Sequence, residues 1–226
     1  ELGWRIFVSG LRTVPEREAH SWHLGFSTVE KNKDLIHRHN DPALAQFIPE
    51  MHSVRARYDF DWKVPTYEVF VDARKLTLSE LLLRRQELLA VNGTSAHFTL
   101  MGPWKLLRSR YSPTADKFAD LREIHSWLKA DESYTFVEID SEMNVTIDSL
   151  IELIQPSATP HYIFIEGTSK VDLKHLVDLQ INQGHGLVGV VDKEDNRAFV
   201  IFAPALSRAL TSGGDVYENI SRQWGL

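Results

Sequence analysis

Apolar positions along this chain recur with two periods, and the clearest case is the stretch 161–204. Tyr162-Ile163-Phe164-Ile165 is a short, unbroken apolar run of the length a buried strand needs, closed by Glu166-Gly167. Leu173, Leu176, Val177 and Ile181 then follow at three- and four-residue spacing, with Gly184 placed as a left-handed helix stop. Leu187 to Val191 predicts a second strand, Asp192 to Asn196 a turn, and Ala198 to Phe202 a third strand. The unit predicted is strand, helix, strand, turn, strand, ending in a hairpin.

The same reading gives the rest of the chain. Trp4–Val8 and Trp22–Phe26 are expected as strands, and Lys31 to Met51 as two short helices broken at Asp41-Pro42. Tyr67–Val71 and Ala96–Met101 are expected as strands flanking a helix over Leu78–Val91, with Thr77 or Ser79 as its cap. Phe118, Leu121, His125 and Leu128 mark a helix, Tyr134–Ile139 a strand, and Ile147, Leu150, Ile151 and Ile154 another helix; Asp215 is placed to cap a last one through Trp224. This alternation predicts an α/β or α+β fold: a mixed, partly parallel sheet with flanking helices and a C-terminal hairpin. Ser112-Pro113-Thr114 suggests a division into an N-terminal α+β region, 1–112, and an α/β region, 113–226, with one domain as the alternative. Within the second region Ile163, Ile165, Val177, Val188, Val190 and Val200 are the expected core.

Composition narrows the function classes. In 226 residues no apolar run approaches the roughly 20 needed to span a bilayer, so no integral membrane protein is expected. A net charge of −6 argues against a broadly electropositive nucleic-acid surface, although 25 Lys and Arg leave room for a local patch. The absence of cysteine removes disulfides, thiol nucleophiles and thiolate metal sites. Glu1-Leu2-Gly3-Trp4-Arg5 lacks the basic-then-apolar pattern of a secretory leader, and the expectation is an intracellular protein, cytoplasmic or nuclear.

Two clusters invite chemistry. Glu138, Asp140, Glu166 and Asp192 fall at the ends of expected strands, where ligands collect in open α/β sheets. Converging there, they would hold Mg²⁺ or Mn²⁺, with Glu166 and Asp192 as ligands, and activate water for a nuclease or phosphohydrolase reaction. The competing reading makes them ordinary turn residues. Ile165-Glu166-Gly167 resembles the metal-binding start of a Toprim domain, but Asp192-Lys193-Glu194 stands where that family has Asp-x-Asp. The other cluster is Lys105, Arg108 and Arg110 interleaved with Trp104 and Tyr111, which would grip phosphates or an acidic peptide. Its bland alternative is a solvated edge. Among ten histidines none has the helical pairing of a zinc protease; His97-Phe98-Thr99-Leu100 looks like one half of a two-histidine phosphoesterase signature whose second half is missing.

The run Leu173 to Leu179, then Gly184-His185-Gly186 into Leu187–Val191, then Phe199 to Pro204, resembles the closing part of SPOC domains. The resemblance implies a β-barrel with flanking helices that acts as an interaction module in nuclear transcription or silencing complexes. With no complete catalytic motif in the chain, the expected function is a non-catalytic protein-interaction module of a larger assembly, binding another protein or an acidic peptide without a cofactor. The alternative is the Mg²⁺- or Mn²⁺-dependent nuclease or phosphohydrolase.

Overall fold

The computed structural model describes residues 2–11, 16, 18–19, 28–58, 60, 62–90, 94–108, 115–146, 149, 151, 153–154, 158–165, 173, 175–176, 187–191 and 197–212. Among the described residues six strands form one sheet: β1 (Tyr67–Asp72), β2 (Ala96–Gly102), β3 (Tyr134–Glu138), β4 (His161–Ile165), β5 (Leu187–Val191) and β6 (Arg197–Phe202), in the order β3-β2-β1-β4-β6-β5. β1 to β4 run parallel, with Tyr67 opposite Ala96 and His161, and Phe98 opposite Tyr134. β6 enters antiparallel between β4 and β5, with Leu187 opposite Ile201. The α/β class, the partly parallel sheet and the C-terminal hairpin are those expected from the periodicity.

A parallel sheet needs cover on both faces, which is why its strands read as continuous apolar runs. On one face Val69, Val71, Phe98, Leu100, Ile163, Ile165 and Val200 pack against α5 (Leu78–Leu89), α6 (Ala119–Leu128), and Leu173 and Leu176. On the other, Phe70, Met101, Tyr162, Phe164 and Ile201 pack against Ile151 and against Leu206 and Ala209 of α7 (Ala203–Ser212). Ile163, Ile165 and Val200 are buried as expected; the side chains of Val177, Val188 and Val190 lie outside the described residues. α5 begins on a capping box in which Thr77 and Glu80 each accept from the other's backbone N–H.

Several expectations need correction. Trp4–Val8 is not a strand but lies within α1 (Leu2–Val8). Gly10, at φ 78°, closes it, with Gly10 N–H donating to Phe7 O and Leu11 N–H to Ile6 O, so the chain turns back within one left-handed residue. Lys33 to Ala45 is one helix, α3, after the single turn α2 (Thr28–Lys31); Pro42 sits inside it, and both Pro42 and Arg38, whose carbonyl loses its partner, are exposed. A further turn, α4, spans His52–Arg55. Position 112/113 falls in the crossover between β2 and β3, so the single sheet takes strands from both proposed regions. The segments 22–26 and 215–224 lie outside the described residues.

Candidate functional site

In this strand order the chain reverses its direction of travel between β1 and β4, and ligand crevices in such sheets open at the carboxyl ends there. That edge is already engaged by its own residues. Asp72, ending β1, accepts from Arg74 at 2.6 and 2.8 Å and from its backbone N–H at 3.0 Å, bonds that raise the Arg74 pKa. Arg74 Nη1 in turn donates to the carbonyl of Ser141 at 2.9 Å. Glu138 accepts the Lys105 backbone N–H at 2.9 Å, and Asp140 accepts that of Glu142 at 3.0 Å. Both carboxylates therefore satisfy turn donors, the ordinary use of an acid where a strand meets a loop. Among the described residues no three His, Asp or Glu side chains converge on a possible metal position. Glu166 and Asp192 lie outside them.

The basic and aromatic run is also divided. Trp104 is 9% exposed; its indole N–H donates to the carbonyls of Leu100 and Val137, and its ring meets Phe136 edge-on at 4.9 Å. It lies so close over Gly102 that a Cβ there would come within 2.9 Å of the ring. Trp104 is thus a core residue and offers no stacking platform, a correction to the expected grip. Lys105 and Arg108 are exposed, while Arg110 and Tyr111 lie outside the described residues.

A different site emerges at the amino half of the sheet. Residues two apart on a strand share a face, and parallel register sets Glu68 of β1, His97 and Thr99 of β2 and Thr135 of β3 on the face that carries Phe70 and Tyr162. Glu68 Oε1 lies 2.9 Å from His97 Nδ1 and accepts from Thr99 Oγ1 at 3.0 Å; His97 Nε2 lies 3.1 Å from Thr135 Oγ1. With the carboxylate as acceptor, Nδ1 carries the proton and Nε2 accepts from the Thr135 hydroxyl, a tautomer assigned from the network. The His97 and Glu68 side chains are 24% and 19% exposed, shielded but not sealed. They floor a cavity of about 450 Å³ walled by Phe70, Val137, Leu153 and Tyr162. Glu68 and His97 also line a larger cavity of about 830 Å³ at the amino edge, bounded by Trp62, Lys63, Asp131 and Glu132.

Exposed aromatic rings stand near this edge. Tyr58 and Phe60, 50% and 57% exposed, stack with centroids 5.4 Å apart and planes 4° off parallel, and Phe60 meets Trp62 edge-on at 5.8 Å. The sequence signal for this strip is the alternation Tyr58-Asp59-Phe60-Asp61-Trp62, which places an aromatic at every second position between acids. No such local signal exists for the Glu68–His97–Thr135 chain, whose links span 29 and 38 residues.

No protein-family model matches the chain, and no curated protein does. Among solved structures, a human methyltransferase 10 domain containing protein is similar at 12% identity, over 79% of this chain and 84% of that one, with a TM-score of 0.27. Among the described residues no helix is long and apolar enough to cross a membrane.

Proposed function

We propose that the chain is a protein-interaction module that takes an extended, basic segment of another protein along the amino-edge groove. The observation that carries this reading is the exposed Tyr58–Phe60 stack, continued by Trp62 into a groove whose described lining sets Glu68, Asp131 and Glu132 against Lys63. Aromatic faces attract guanidinium and ammonium groups, and carboxylates beside them supply the counter-charge. Rigid aromatic rings also give contact area at low entropic cost. This surface selects a cationic partner, the opposite sign from the acidic peptide expected from Lys105 and Arg108.

The test is fluorescence anisotropy with two labelled peptides of equal length, one rich in Arg, Lys and Pro, the other with its basic residues replaced by Glu. The basic peptide should bind with an affinity that falls as salt is raised. Replacing Tyr58 and Phe60 together by Ala should weaken it about tenfold or more, since stacked aromatics at interfaces are typical anchors. Equal binding of both peptides, preference for the acidic one, or tighter capture of single-stranded nucleic acid would overturn the reading.

A further inference from the structure

We propose that Glu68, His97 and Thr135 form an acyl-transfer relay, making the smaller cavity an esterase site for carboxylic esters with a short apolar acyl group. It goes beyond peptide docking, and although Glu68 lines both cavities, the aromatic strip that carries the docking takes no part in the relay. A nucleophile within reach of a base that is itself oriented by a third group is the diagnostic arrangement for covalent catalysis. Here the hydroxyl is Thr135 Oγ1, 3.1 Å from His97 Nε2, and the orienting group is Glu68, 2.9 Å from Nδ1. Thr135 is exposed and lines the same cavity, where an incoming carbonyl would meet its hydroxyl. The neighbouring walls, Phe70, Val137, Leu153 and Tyr162, suit an apolar acyl chain, and about 450 Å³ falls within the range of small-ligand cavities.

Water is the second substrate, and no other reagent is needed. Thr135 Oγ1 attacks the ester carbonyl carbon while its proton passes to His97 Nε2, and the carbonyl electron pair moves onto oxygen. Collapse breaks the bond to the alkoxy group, which leaves as the alcohol carrying the proton from Nε2. Water then gives a proton to Nε2 and attacks the acyl-threonine, releasing the carboxylic acid and restoring the hydroxyl. Glu68 holds the tautomer and stabilises the imidazolium formed in each half. Thr99, donating to the same Glu68 oxygen at 3.0 Å, is a positioning residue.

The experiment uses the whole chain with p-nitrophenyl butyrate, following nitrophenolate release and locating the acyl adduct by mass spectrometry of the quenched protein. Release above the rate with equimolar imidazole is expected, with the adduct on Thr135. His97→Gln and the isosteric Thr135→Val should each lower the rate about a hundredfold or more, while Thr135→Ser should retain turnover. Retention in Thr135→Ser separates loss of the nucleophile from loss of the fold. No release above imidazole, unchanged rates in His97→Gln or Thr135→Val, loss in Thr135→Ser, or an adduct on a lysine would overturn the proposal.

Discussion

Arg55 is fully buried, and its guanidinium carbon lies 4.9 Å from the centre of the Trp62 ring. From that position Nε donates to the carbonyl of Ala45 at 2.8 Å and Nη2 to that of Val64 at 2.9 Å. One side chain thereby ties the end of α3, the turn α4 and the segment leading into β1. Burial pulls its pKa down to about 10, still charged at neutral pH. The aromatic strip of the proposed groove is therefore oriented from below by an internal cation.

Replacing Arg55 by Met keeps most of the volume and removes the donors, leaving two carbonyls without their partners. We expect a loss of about 2–4 kcal/mol, from the cost of stranding buried polar groups. Arg55→Lys should recover only part of it, because a single ammonium does not reproduce the planar fork. The measurement is the urea midpoint at constant slope; a midpoint equal to wild type in Arg55→Met would refute the clamp.

Gly10 offers a separate test at the α1–α7 contact. At φ 78° an added Cβ would meet Arg208 Cγ at 2.9 Å and the Pro204 carbonyl oxygen at 3.0 Å, so backbone strain and crowding act together. Gly10→Ala is expected to cost about 1–3 kcal/mol. Loss of this docking also loosens Trp4, whose indole N–H donates to the Ala158 carbonyl at 3.1 Å. Thermal unfolding followed by tryptophan emission reads both, and an unshifted midpoint contradicts the geometry.

The parts of the fold legible in the sequence are those where local pattern and tertiary use agree. Tyr162–Ile165 is apolar at every position because both faces of β4 are covered, and Thr77 with Glu80 announces α5 by a reciprocal cap. Trp4–Val8 was not legible, because a short apolar run fits either period, and its helix is fixed by distant partners: Phe7 lies 5.6 Å from Phe202, and Ser207 donates to the Val8 carbonyl. α7 follows β6 without a break, and Pro204, its second residue, suits the first turn of a helix. Trp104 reads as an exposed gripping ring beside Lys105, but its core position depends on Gly102 beneath it and on two carbonyls from neighbouring strands. The Glu68–His97–Thr135 chain needs the register of three parallel strands, which no local pattern encodes.

Core burial gives a third prediction. Ile165 is fully buried at the end of β4, on the sheet face that packs against Leu173 and Leu176. Ile165→Ala should cost about 2–4 kcal/mol through lost burial and the cavity left behind. An unchanged denaturant midpoint would displace β4 from the core.

His161 sets a pH dependence whose sign follows from its surroundings. Its ring sits between Tyr67 at 5.6 Å and Phe202 at 5.4 Å, and Nδ1 has no hydrogen-bond partner among the described residues. Desolvation pulls its pKa down to about 4, against 6.5 for the ordinary group; a hydrogen bond to the Thr66 backbone opposes it, and the charge of His52 acts in the same direction as burial. The unfolded chain thus takes up a proton on this residue as pH falls below 6.5, whereas the folded chain does so only near 4. Stability from this group is complete above the first value and lost through the window between them. The full difference amounts to about 3 kcal/mol at roughly 1.4 kcal/mol per unit. His161→Phe fills the same aromatic slot without a titrating group, so its stability should change less between about pH 7 and pH 4.5 than that of the wild type, by up to about 3 kcal/mol. Urea midpoints at the two pH values measure the difference of differences, in which carboxylates common to both proteins cancel. Parallel pH profiles would mean that this imidazole is already protonated, or equally solvated, in the folded chain.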